Sequence, residues 1–113
     1  MTPRDQGYLL DILLAARLVC EFVKGVSRTE FDESLLIQSA VIRQLEIIGE
    51  ATKRISPQGR LEFGEVPWQQ MAGMRDILIH AYRKVDLTEV WQAATVSVPN
   101  LISKLEHLVP PPG

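Results

Sequence analysis

The stretch MRDILIHAY, residues 74–82, combines the pattern of a core helix with side chains suited to catalysis. Its apolar residues Met74, Ile77, Leu78 and Ala81 recur at the three- and four-residue intervals of a helix that buries one face. Among them lie an arginine, a histidine and a tyrosine: a phosphate-binding cation, a proton carrier near neutral pH and a hydroxyl group. The stretch therefore predicts both a core helix and a candidate catalytic site.

The three polar residues, Arg75, His80 and Tyr82, cannot all lie on one face of a regular helix. At 100° per residue, Tyr82 falls within about 20° of Arg75, whereas His80 falls about 140° away from it. Either the helix loosens near His80, or another surface, such as a second copy of the chain, completes the site. A purely structural interpretation also stays open, because a histidine near a helix C-terminus is stabilised by the helix dipole alone.

The composition is that of one globular domain. A chain of 113 residues is long enough for a single core but short of two. We expect the domain to span residues 1–109, followed by a loose proline-rich tail at 110–113. No run of 18 uncharged apolar residues and no signal-peptide pattern occurs, which predicts a cytoplasmic protein without a membrane segment.

Cysteine, glycine and histidine spacing predicts neither a cofactor nor a metal. The lone cysteine, Cys20, excludes an internal disulfide and a multi-cysteine zinc site, and its apolar neighbours predict that it is buried. Neither a glycine-rich phosphate loop nor a paired-histidine zinc spacing occurs.

The net charge of −2 argues against a protein that binds nucleic acid over its whole surface. An enzyme that acts on nucleic acid needs only a local positive cleft. Arg75, Arg83 and Lys84 are the candidates for such a cleft.

Helical periodicity and capping residues predict an all-α, up-and-down bundle of about five helices. The predicted helices are about 3–24, 34–55 (or from 32), 57–63, 67–81 and 86–108, with at most a short turn started by Thr29 between the first two. Thr2, Ser56 and Asp86 are the predicted N-caps, and Gly25 is the predicted stop of the first helix. Pro99 removes the hydrogen bond to the carbonyl of Thr95, so we expect a kink in the last helix there.

The first helix is apolar over a wider arc than a one-sided surface helix requires. Its leucines and isoleucine between Tyr8 and Ala16 cover well over 100° of the circumference: Leu9, Leu10, Ile12, Leu13 and Leu14. The excess apolar surface predicts packing against both the monomer core and a second subunit, which would make the protein a homodimer.

Five separated pieces of the chain together resemble the HepT-like branch of the HEPN superfamily. They are the Arg-x4-His-x-Tyr signature at 75–82, LEIIGEA at 45–51, VPW at 66–68, Val85-Asp86 and Trp91. The resemblance spans nearly the whole chain in the same order. It implies a dimerising HEPN-like fold and a metal-independent ribonuclease that acts as a toxin. It also implies a partner, an MNT-type nucleotidyltransferase antitoxin that silences the toxin by adenylylating the motif tyrosine, here Tyr82.

Gly49 and Glu50 lie in the second of these pieces. A glycine inside a helix costs about 1 kcal/mol relative to alanine and usually marks the close approach of another backbone or a ligand. Close helix packing is the simpler explanation. Because the resemblance includes this segment, we expect Gly49 and Glu50 to face the cleft that holds Arg75 and His80.

The roles follow from what RNA cleavage without a metal requires. His80 is the candidate base toward the ribose 2′-hydroxyl, and Arg75 is the candidate group that stabilises the charged phosphorane. Tyr82 would orient the phosphate or the imidazole. Asp76 would fix Arg75 or the imidazole, or it forms only a local ion pair.

Two other functions compete with the toxin ribonuclease. One is a non-catalytic subunit that presents substrate to a nucleotidyltransferase, and the other is a purely structural dimerisation domain. The intact Arg75, His80 and Tyr82 favour the enzyme.

Overall fold

The computed structural model describes residues 1–81 and 86–109; for residues 77–81 it describes the backbone. The predicted tail, residues 110–113, lies outside the described residues. The helices are α1 (Pro3–Val23), α2 (Arg28–Glu33), α3 (Leu35–Arg54), α4 (Pro57–Glu62), α5 (Trp68–Ala81), α6 (Leu87–Gln92) and α7 (Val98–Leu105). A π-helical turn at Ala93–Ser97 joins α6 to α7, and a 3-10 turn at Glu106–Leu108 follows α7. The described ranges contain no strand, so the all-α prediction is confirmed.

Short-range capping chemistry ends and begins these helices largely as predicted. The Thr2 side chain accepts a hydrogen bond from the backbone N–H of Asp5, Ser56 from that of Gly59, and Asp86 from those of Thr88 and Glu89. Gly25 adopts a φ of 73°, a left-handed conformation that favours glycine and stops α1.

The short turn of helix predicted at Thr29 is a separate six-residue helix, α2, at residues 28–33. Ser27 accepts a hydrogen bond from the backbone of Glu30, and the Glu30 side chain accepts one from the backbone of Ser27. This reciprocal pair satisfies two N–H groups at once and starts α2 one residue earlier than expected. Ser34, in an extended conformation, then separates α2 from α3 and caps the latter.

The core lies among four elements, and α3 is its centre. Helix α3 packs against α1 on one side and α5 on the other, and α7 packs back onto α1. The side chains that these four elements bury completely include Ile12, Val19, Val41, Leu45, Ile48, Met71, Val98 and Leu105. Val41, Leu45 and Ile48 on α3, and Val98, Leu101 and Leu105 on α7, are buried at the three- and four-residue intervals of a helix that buries one face.

The predicted disturbance before Pro99 takes the form of a widened turn. The backbone N–H of Val98 donates to the carbonyl of Ala93, five residues earlier, which is the hydrogen bond of a π-helix. Proline has no N–H, and its ring crowds the carbonyl four residues before it. The wider turn accommodates both effects while the apolar stripe continues into α7.

The outer face of α1 is apolar as well as the inner one. Leu10, Leu14 and Leu18 recur every four residues and are 41%, 51% and 38% exposed. They form the second apolar face that the sequence indicated, and the homodimer inferred from it stays a prediction.

Cys20 is only half-buried, so full burial was a wrong expectation; the burial that it has raises the pKa of its thiol. None of the helices in the described ranges is long and apolar enough to cross a membrane.

Candidate functional site

Helix α5 holds the motif residues Arg75, Asp76 and His80, and its first turn is firmly anchored. The Trp68 indole N–H donates to the backbone carbonyls of Arg60 and Phe63, at 3.1 and 3.0 Å. These bonds tie the start of α5 to the end of α4. Two methionines of α5, Met71 and Met74, are buried in the core, as predicted.

Helix α3 approaches α5 closely at Gly49 and Arg75. A Cβ atom placed on Gly49 would lie 2.6 Å from the Cβ and 2.7 Å from the backbone nitrogen of Arg75. Both distances are shorter than van der Waals contact, so only glycine fits at this point. The predicted close approach of another backbone to Gly49 is thereby confirmed. The residue approached is the motif arginine itself, which is half-buried.

Asp76 pairs with a residue that the sequence did not single out. Its carboxylate lies 3.8 Å from the ammonium group of Lys53, one helical turn after Gly49 on α3. The side chains are 59% and 42% exposed, respectively, and such a pair contributes little to stability. The sequence did not indicate this pair, because sequence spacing does not reveal contacts between two helices.

Glu50 lies on a different side of α3 from Gly49, because adjacent helical residues are 100° apart. It lines a groove of about 150 Å³ together with Tyr8, Asp11 and Arg54. The described part of the structure therefore brings Gly49 to Arg75 but brings Glu50 to α1.

Helix α5 stays regular through His80 and ends at Ala81. The positions of Arg75 and His80 therefore remain about 140° apart around the axis and about 7.5 Å apart along it. A loosening of the helix near His80 was one of the two predicted ways to assemble the motif. The backbone of α5 is instead regular at this point. The side chain of His80 is not described, and Tyr82, Arg83 and Lys84 lie outside the described residues.

The chain matches the family model described as Ribonuclease HepT-like over residues 12–108, a range that contains the whole predicted site. The chain belongs to the HepT-like ribonuclease family. The resemblance inferred from the sequence is thus confirmed, and so is ribonuclease as the class of enzyme.

Relatives of similar length support this assignment to the HepT-like family. A protein of Methanocaldococcus jannaschii that is provisionally named an RNase is 42% identical over 107 residues, which cover 94% of this chain and 98% of that protein. A protein of Thermococcus cleftensis named a probable ribonuclease HepT is 44% identical over 108 residues, which cover 96% and 98%. No solved structure matches the chain significantly.

Proposed function

We propose that this HepT-like ribonuclease is the toxin of a type II toxin–antitoxin pair and that it cleaves RNA in the cytoplasm without a metal. Arg75 and His80 are the proposed catalytic residues. The observation that supports this most is the contact of Arg75 with Gly49. It fixes the backbone of the motif arginine against the central helix of the core, and a phosphate-binding group acts best when it is held in place before the substrate arrives.

The reaction is an attack by the ribose on its own phosphate. His80 takes the proton of the 2′-hydroxyl, and the 2′-oxygen forms a bond to phosphorus. Arg75 donates hydrogen bonds to the phosphate oxygens as negative charge builds on them. The bond from phosphorus to the 5′-oxygen then breaks, and that oxygen is protonated. The products have a 2′,3′-cyclic phosphate and a 5′-hydroxyl group.

A homodimer completes the site in this proposal. The regular helix separates the positions of Arg75 and His80, so a surface from outside α5 must bring the two groups to one phosphate. The exposed leucines of α1, Leu10, Leu14 and Leu18, supply an apolar face of the kind that subunits bury. Two chains paired antiparallel would bring their motifs together across the interface.

Tyr82 would be the point of control. An MNT-type nucleotidyltransferase antitoxin would transfer AMP from ATP to its hydroxyl group and release pyrophosphate. The bulky charged adduct, two residues from His80, would block access of RNA to the site. This part of the proposal depends on the family resemblance.

The first test is cleavage of a structured RNA by purified protein in excess EDTA. We expect wild type to cleave, His80→Ala to be inactive and His107→Ala to be fully active. His107, the other histidine of the chain, is exposed in the terminal 3-10 turn and serves as the matched control. Products with 2′,3′-cyclic phosphate ends would support the mechanism.

Two outcomes would contradict the proposal. Cleavage by the His80→Ala preparation would mean that a contaminant or another residue performs the reaction. If wild type is inactive, its intact mass decides between two cases: a mass increase from AMP on Tyr82 means a silenced enzyme, whereas an unmodified protein favours the non-catalytic subunit.

A further inference from the structure

A groove of about 280 Å³ lies between α5 and the helix that runs from α6 through the π turn into α7. Its floor is apolar and consists of the buried residues Met71, Met74 and Leu101. The groove lies on α5 about 90° around the axis from Arg75, so it is separate from the contact with Gly49.

The rim of the groove is polar and contains three carboxamides, a hydroxyl and an ammonium group. These belong to Gln70, Gln92, Asn100, Ser97 and Lys104. In the part of the chain that the structure describes, no acidic side chain lines the groove, although the chain has 14 acidic residues and a net charge of −2. The groove thus suits a ligand with hydrogen-bonding edges and negative charge.

The π turn gives the groove one of its walls. Gln92, Val96 and Asn100 recur every four residues along the groove, across the turn at Ala93–Ser97. A π turn inside an α-helix is rare and occurs frequently at functional sites. Pro99 explains why the helix is loosened here. The loosened turn borders the groove.

We propose that this groove binds one unpaired nucleotide of the RNA substrate, an inference that rests on the proposed ribonuclease function. The base would lie between the polar side chains of the rim, above the buried Met71 and Met74, and a carboxamide of the rim would pair with its edge. A carboxamide matches adenine through two hydrogen bonds. Lys104 would neutralise an adjacent phosphate.

The size of the groove agrees with a subsite for a single base. Protein sites for small ligands begin at about 300 Å³, so there is room for one heterocycle rather than for a longer segment. Specific recognition of RNA mostly uses such splayed, unpaired bases. From Met71 to His80 the helix rises about 14 Å and turns through about 180°, so a strand bound in the groove would pass around α5 to reach His80. The groove would therefore set the sequence preference of cleavage.

The test is a titration with AMP in which binding is measured by calorimetry and by the NMR shifts of side-chain amides. We expect saturable binding to wild type, weakened roughly fivefold or more in both Gln70→Ala and Asn100→Ala. Gln69→Ala is the matched control, since Gln69 is an exposed carboxamide next to Gln70 that does not line the groove. Ribose 5-phosphate, which lacks the base, should bind much more weakly than AMP.

Three results would overturn the proposal: no saturable binding of AMP in the millimolar range, equal binding by Gln69→Ala, Gln70→Ala and Asn100→Ala, or equal binding of ribose 5-phosphate. The titration is repeated on the His80→Ala variant, so that nucleotide binding is measured independently of RNA cleavage. If wild type without AMP on Tyr82 fails to cleave RNA while free AMP binds through Gln70 and Asn100, the proposed cleavage reaction fails and the nucleotide site stands. If wild type cleaves RNA and AMP does not bind, the groove proposal alone fails.

Discussion

Replacing Gly49 by alanine should damage both stability and activity, because the new methyl group would meet the backbone of Arg75. Its distances to the Cβ and the backbone nitrogen of Arg75 would be 2.6 and 2.7 Å. An ordinary contact is about 3.5 Å, so α3 and α5 would have to move apart by about 1 Å. Rotation of a side chain cannot relieve the clash, since the Cβ and the backbone nitrogen move only with the helix.

The magnitude of the Gly49→Ala effect combines two opposing terms. Overpacking costs about 1–3 kcal/mol, and the better helix propensity of alanine returns at most about 1 kcal/mol. We expect a net loss of about 1–2 kcal/mol, which lowers Tm by several degrees for a domain of this size. A displacement of about 1 Å at a substrate-positioning residue reduces activity about 100-fold.

Gly73 provides the matched control for this substitution. It is also a mid-helix glycine, on α5, but nothing in the described part of the chain lies within 4 Å of the position that its Cβ would take. Gly73→Ala should therefore gain about 0.5–1 kcal/mol from helix propensity alone. The assays are thermal unfolding by circular dichroism and kcat/KM on RNA. The reasoning is refuted if Gly49→Ala is as stable and as active as Gly73→Ala.

Four further substitutions test three other contacts. Hydrogen bonds from the Ser56 hydroxyl, and then from its backbone N–H, hold the pKa of the buried Asp5 carboxyl below its usual value. These bonds stabilise the folded protein fully above about pH 4, and the stabilisation disappears as the pH falls through the lowered pKa. Asp5→Asn should cost about 1–2 kcal/mol at pH 7 and remove this part of the acid dependence of Tm; an unchanged Tm profile between pH 2 and 7 would contradict this. Lys53→Met should change the free energy of unfolding by less than about 0.5 kcal/mol. If Asp76→Asn reduces kcat and Lys53→Met does not, then Asp76 acts in catalysis rather than through its pair with Lys53. Trp68→Phe should lose about 1–2 kcal/mol in urea unfolding, because two carbonyls lose the indole donor.

The sequence predicted features that depend on neighbours along the chain. The caps at Thr2, Ser56 and Asp86 and the stop at Gly25 are each decided within about four residues, and all four occur. The length and start of α2 were not predicted, although their signal is equally local. Ser27 and Glu30 form the capping box that starts this helix.

Features that depend on two helices together could be predicted only in part. The sequence indicated that something approaches Gly49 closely, but nothing in it identified the backbone of Arg75 as the neighbour. The pair of Lys53 with Asp76 was out of reach for the same reason, since it depends on how α3 packs on α5. Pro99 predicted a disturbance in the last helix, whereas the choice of a π turn over a simple kink depends on keeping both parts of the stripe in the core.

The hydrogen bonds between Asp5 and Ser56 join residues that the ribosome adds at different times. The two residues are 51 positions apart, and at about 5–20 residues per second the ribosome needs roughly 3–10 s to add the second after the first. During that interval α1 has been made, but the helix that covers its apolar face is unfinished and its Asp5 carboxylate is still hydrated. The N-terminal helix therefore leaves the ribosome with its leucine-rich face uncovered, and that face stays uncovered until α3 has been made and Ser56 has followed it.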